Sequence, residues 1–189
     1  MHGKIRIEGA LAGAIVAAVI TVASPAGAAP GAGGPVAAVG YSSKSSDREI
    51  ITYALGWRFE WEAGERLQLL ADRLGARSGL LVESTAGLIT GDAESVEVSA
   101  VPMVRLVWPS RGGREPFIEG GVGLAYTDLR GFDLGSQILF ANQFATGVSI
   151  GVGDGSIDIG FRIRHISHAG LWAKQNSGLN TYYLTLTFR

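Results

Sequence analysis

The chain has 189 residues, of which 47% are hydrophobic and 17% charged, and its formal net charge is −1. Such a balance offers no basic patch for nucleic acid, and with no cysteine there is neither a disulfide framework nor a thiolate metal site. Glycine is abundant at 28 residues, and past the first 29 residues no apolar run reaches the roughly 18 residues that would suggest a membrane helix.

Met1–Gly9 carries Lys4 and Arg6, Ala10–Ala23 is an unbroken run of apolar and small residues, and Ala26-Gly27-Ala28 is an A-x-A cleavage site. That order predicts a secretory signal peptide over residues 1–29, with an apolar stretch too short to span a bilayer. Its removal leaves about 160 residues, enough for one domain. Pro30–Pro35 reads as a flexible leader, and residues 36–189 as a single β-barrel domain.

From there the pattern has period two, the signature of strands whose side chains alternate between faces. Val36–Tyr41 predicts a short first strand, and Ser42–Ser46 a turn. Ile51, Tyr53, Leu55, Trp57, Phe59 and Trp61 then share one face, opposite Thr52, Ala54, Gly56, Arg58 and Glu60. Leu67, Leu70 and Leu74 fall at helical spacing among charges, predicting a short amphipathic helix over Glu65–Leu74. Strand patterns resume over Ser78–Ile89, Val96–Trp108, Phe117–Tyr126, Ile138–Val152, Ser156–Ser167 and Thr181–Phe188, with Asp128–Gly135 left as a loop.

This makes eight strands, several as long as the roughly 9–11 residues needed to cross a membrane at a tilt. Their polar face carries Arg58, Arg105, Arg162 and Arg164 against Glu60, Glu83, Glu97, Glu119 and Asp158. An eight-stranded barrel has room inside only for side chains, so these charges are expected to interlock as a filled interior. Aromatic residues near strand ends (Trp57, Trp61, Trp108, Tyr126, Tyr182, Phe188) resemble interfacial girdles. The expectation is therefore an all-β, eight-stranded antiparallel transmembrane barrel of the outer-membrane type, with a soluble periplasmic lipid-binding barrel as the rival. Apolar alternation ending at Phe188 resembles an outer-membrane assembly signal, from which Arg189 departs.

Chemistry concentrates at the end of the chain. In Ser156–Ser167 the odd positions Ile157, Ile159, Phe161, Ile163, His165 and Ser167 share a face, and in the last strand Asn180 aligns with Tyr182, Leu184, Leu186 and Phe188. A base beside a hydroxyl makes a nucleophile, and a third group fixes the tautomer of the base, a role an amide can fill. Ser167, His165 and Asn180 are thus a candidate nucleophile, base and orienter on the apolar side of two adjacent strands. Lys174 and Gln175 follow the motif, and in the membrane reading they are expected at headgroup level.

His165-Ile166-Ser167, Ala169-Gly170 and Asn176-Ser177-Gly178 resemble the His-x-Ser-Asn-Ala-Gly…Asn-Pro-Gly signature of the lipid A 3-O-deacylases, the PagL family. Phe117-Ile118-Glu119-Gly120-Gly121-Val122-Gly123 and Leu134-Gly135-Ser136 with Phe140 are similar to further segments of that family. The resemblance implies an outer-membrane esterase that removes the 3-O-linked hydroxyacyl chain of lipid A. Its substrate would be lipid A or lipopolysaccharide among outer-membrane lipids, with no metal or cofactor; a homodimer stays open. Carried over by position, Ser167 is the nucleophile and His165 the base. The family's acidic triad member falls at Asn180, after one extra loop residue, and its Asn after the nucleophile, an oxyanion contributor, falls at His168, so the resemblance implies His168, or the backbone N–H groups of Ala169 and Gly170, as oxyanion donors. The amide at Asn180 leaves a second reading, a catalytically weak or inert barrel with a lipid-binding or structural role.

Overall fold

The computed structural model describes residues 31–44, 48–110, 112–129, 132–171 and 177–189. The signal segment, Arg130, and Lys174, Gln175 and Asn176 of the last connection lie outside the described residues. Eight strands run in chain order: β1 Gly31–Lys44, β2 Arg48–Glu62, β3 Arg77–Gly91, β4 Ser95–Val107, β5 Arg114–Thr127, β6 Ile138–Val152, β7 Gly155–Ser167 and β8 Leu179–Phe188. A helix, α1 Glu65–Arg73, lies between β2 and β3. Each strand pairs with the next antiparallel, and β8 closes on β1 from Val36↔Thr187 to Tyr41↔Tyr182, giving a closed barrel.

The first strand begins earlier than its composition suggests. Pairing starts at Gly31, so residues 31–35 of the segment read as a flexible leader are part of the wall. Glycine is required there by close approach: a β-carbon on Gly33 would lie 1.9 Å from Arg58 O, and one on Gly34 1.7 Å from Phe188 O. The loop-like Gly-Ala-Pro composition thus marks the seam where β1 is squeezed between β2 and β8.

Alternation sorts the side chains as the sequence predicts. Arg58, Arg105, Arg162, Arg164, Glu83, Glu97, Glu119 and Asp158 are all buried inside the barrel. Arg58 reaches Glu83 and Glu119, each at 2.8 Å, Arg162 bonds Glu83 at 2.7 Å, Arg105 bonds Asp158 at 2.7 Å and Arg164 bonds Glu97 at 2.6 Å. Arg189 completes the set: its guanidinium bonds Glu60 at 3.0 Å and Asp158 at 3.1 Å. The residue that departs from an apolar chain end is therefore the cation that balances Glu60.

Outside, the wall is apolar: Leu55, Leu184 and Ile159 are 70%, 64% and 53% exposed, alongside Tyr53, Trp57, Leu88, Val122, Phe144 and Phe161. A water-soluble barrel would cover this belt; hydrocarbon solvates it. The β5–β6 connection, read only as a loop, folds inward instead. Leu129, Phe132 and Leu134 are buried in one apolar cluster with Ile50, Leu139, Ile166 and Leu179.

Two substitutions separate inside from outside. Glu83→Leu leaves the buried Arg162 without its carboxylate, takes one of two carboxylates from Arg58, and should cost about 3–5 kcal/mol of unfolding free energy. Leu55→Arg should cost about 2–4 kcal/mol in a bilayer if it lies near the midplane. Urea unfolding in lipid vesicles, followed by tryptophan fluorescence, measures both.

Candidate active site

Strand β7 delivers two of the three candidate groups and β8 the third. Ile159, Phe161 and Ile163 on β7 are exposed while Asp158, Arg162 and Arg164 are buried, so the odd positions look out of the barrel. His165 and Ser167 continue that outward row at the end of β7. On β8 Asn180 precedes exposed Tyr182 and Leu184 on the same outward row, and its Cα pairs directly with that of His165. All three groups therefore stand on the apolar wall, at the barrel end opposite the seam of β1 and β8 termini.

His165 Nδ1 lies 2.8 Å from Asn180 Oδ1. An amide oxygen only accepts, so Nδ1 carries the proton and Nε2 keeps the lone pair that a base needs. Strand geometry separates the Cα atoms of His165 and Ser167 by about 6.5–7 Å on one face. Ser167 is nearly buried at 9% exposure. Among the described residues no hydrogen bond joins its hydroxyl to the imidazole. Closing that gap takes side-chain rotation, and catalytic hydrogen bonds commonly tighten only when substrate is bound.

The connection after Ser167 turns sharply. Ala169 and Gly170 both take left-handed backbone, with φ of 53° and 76°, and Leu171 N–H donates to His168 O at 3.0 Å. A non-glycine residue held in that region is costly and tends to persist where function requires it. His168 is completely buried, whereas Ala169 and Gly170 are exposed. Gly178, with φ of 60°, backs the imidazole: a β-carbon there would lie 2.4 Å from His165 Cε1 and 2.9 Å from Nε2.

Sequence reasoning overlooked Asn142. It is exposed on the outward row of β6 and pairs with His165 from the side opposite Asn180. The signal was present, since Asn142 is an amide set between Phe140 and Phe144 on a mainly apolar face.

A closed eight-stranded barrel with an apolar outer wall and a charge-filled interior defines a β-barrel of the outer-membrane type. The family model for lipid A 3-O-deacylase (PagL) matches residues 51–189, and the chain belongs to that family. Among solved structures, the outer membrane enzyme PagL superposes with a TM-score of 0.64 at 22% identity, covering 80% of this chain and 97% of that one. Neisserial surface protein A superposes with a TM-score of 0.54 at 14% identity, covering 82% and 93%. Likeness at these identities speaks for the fold alone. No curated protein matches the chain.

The contact at Gly178 is testable against Gly75, which has a similar φ of 66° but open space around it. Gly75→Ala should cost about 1–2 kcal/mol of backbone strain, and Gly178→Ala that plus about 1–3 kcal/mol for the collision with His165. Equal losses in chemical denaturation would show that Gly178 does not press on the ring.

Proposed function

We propose that the protein is a serine esterase that hydrolyses the 3-O-linked hydroxyacyl chain of lipid A from the lipid-facing wall of the outer membrane, reached by export on a cleaved signal peptide. Ser167 Oγ attacks the ester carbonyl while His165 Nε2 takes the hydroxyl proton. Asn180 holds the ring by its Nδ1–H and favours the imidazolium that forms. Backbone N–H groups of Ala169 and Gly170 are the proposed donors to the oxyanion, since the His168 side chain is completely buried. Collapse of the tetrahedral intermediate breaks the ester bond, and the imidazolium returns its proton to the departing 3-hydroxyl of lipid A. Water then attacks the acyl-serine with His165 again as base, releasing the hydroxy fatty acid and restoring Ser167.

The observation that carries this reading is the 2.8 Å contact between His165 and Asn180 on the apolar wall, with Ser167 next on the same row. Polar groups on a lipid face are expensive and tend to be functional, and a bilayer substrate must be met from that side. All three groups come from one chain, so catalysis does not require the homodimer. Asn180 itself favours the second reading, a weak or inert barrel, because an amide stabilises the imidazolium less than a carboxylate does. The same exchange of carboxylate for amide in a serine protease triad lowers turnover by about 10⁴.

Mass spectrometry of lipid A from cells making the native chain should show loss of one hydroxyacyl chain, and Ser167→Ala should restore the full-length species. Identical lipid A from both would remove the enzymatic reading. Asn180→Glu should raise kcat about tenfold or more, and Asn180→Leu should lower it, in an assay of fatty-acid release from lipid A in mixed micelles.

A further inference from the structure

We infer that Ser177 is a positioning residue for the imidazole, tying the β7–β8 connection to the buried β5–β6 connection so that Gly178 stays against His165. The inference rests on His165 acting as the base.

The contacts form a continuous path. Phe132 is fully buried in the apolar cluster, flanked by buried Leu129 and Leu134, so its backbone is held by packing. Asp133 follows with left-handed backbone, φ 50°, a conformation a non-glycine residue keeps only when its surroundings hold it. Ser177 Oγ donates to Phe132 O and Asp133 O, each at 3.2 Å, and Ser177 N–H donates to Asp133 O at 3.3 Å. The next residue is Gly178, which faces the Cε1–Nε2 side of His165 so closely that an added β-carbon would lie 2.4 Å from Cε1.

The ring is thereby restrained from two directions. Asn180 holds Nδ1 from β8, and Gly178 limits swing on the side that must face Ser167. In the signature that this stretch resembles, the position of Ser177 is proline, which fixes the backbone through its ring and has no N–H to give. Here two donors from Ser177 do that work by binding the neighbouring connection. The hydroxyl is engaged with backbone carbonyls, so its loss should disturb the geometry of proton transfer and not the binding of substrate.

Ser177→Thr keeps the hydroxyl and Ser177→Val keeps the shape without it. Both proteins, with native and Ser167→Ala chains, are assayed for acyl release from lipid A in mixed micelles, and folding is checked by heat-modifiable gel mobility. The expected result is near-native kcat for Ser177→Thr. For Ser177→Val, kcat should fall about ten- to a hundred-fold with KM within about twofold, the scale of a misplaced catalytic group. Full kcat in Ser177→Val, a loss confined to KM, equal losses in both variants, or failure of only Ser177→Val to fold would each overturn the positioning role. Activity persisting in Ser167→Ala would instead overturn the esterase reading on which it rests.

Discussion

Hydrocarbon offers no hydrogen-bond partner, so a strand within it needs a neighbour on both edges. The ladder between β8 and β1 meets that requirement and leaves no open edge. Closure then fixes two surfaces of opposite character through the period of two. Outward positions must be apolar, as Leu55, Phe161 and Leu184 are, and inward positions share a space so narrow that every charge must find its opposite. His165, Ser167 and Asn180 are exceptions to the outward rule, and they stand together.

The interior obeys its rule through bidentate and shared contacts. Glu83 serves both Arg58 and Arg162, and Asp158 serves both Arg105 and Arg189. Buried ion pairs of this kind add little net stability over packed apolar residues. Their consequence here is register: a one-residue slip of β2, β3, β4, β5 or β7 would turn its arginine or carboxylate into the lipid. The same register sets His165 across from Asn180, so the charge network and the outward site are linked through β7. Toward the site end the filling changes from ionic to apolar, with Phe132 and its neighbours supporting the connections around the imidazole.

Much of this was legible in the amino-acid pattern. Long alternations gave the strands and the faces, and the outward placement of His165, Ser167 and Asn180 followed from parity alone. What parity cannot carry was missed. Gly33 and Gly34 look like a linker because their reason, carbonyl oxygens of β2 and β8 less than 2 Å from where a β-carbon would sit, is tertiary. Leu129, Phe132 and Leu134 follow no strand or helix period, so their burial was invisible. Arg189 appeared as an oddity of the chain end until Glu60 and Asp158 were found beside it. Ser177 is one hydroxyl in a polar loop, and only distances to Phe132 and Asp133 give it meaning.

The central claim is that the Ser167 hydroxyl is made nucleophilic by an imidazole on the membrane-facing wall. Its most direct measurement uses an alkyl fluorophosphonate delivered in lipid vesicles, with the labelled peptide identified by mass. The account predicts a phosphonyl adduct on Ser167 in the native chain and almost none in His165→Ala. An adduct that forms at the same rate without His165, or that appears on another residue, would contradict it.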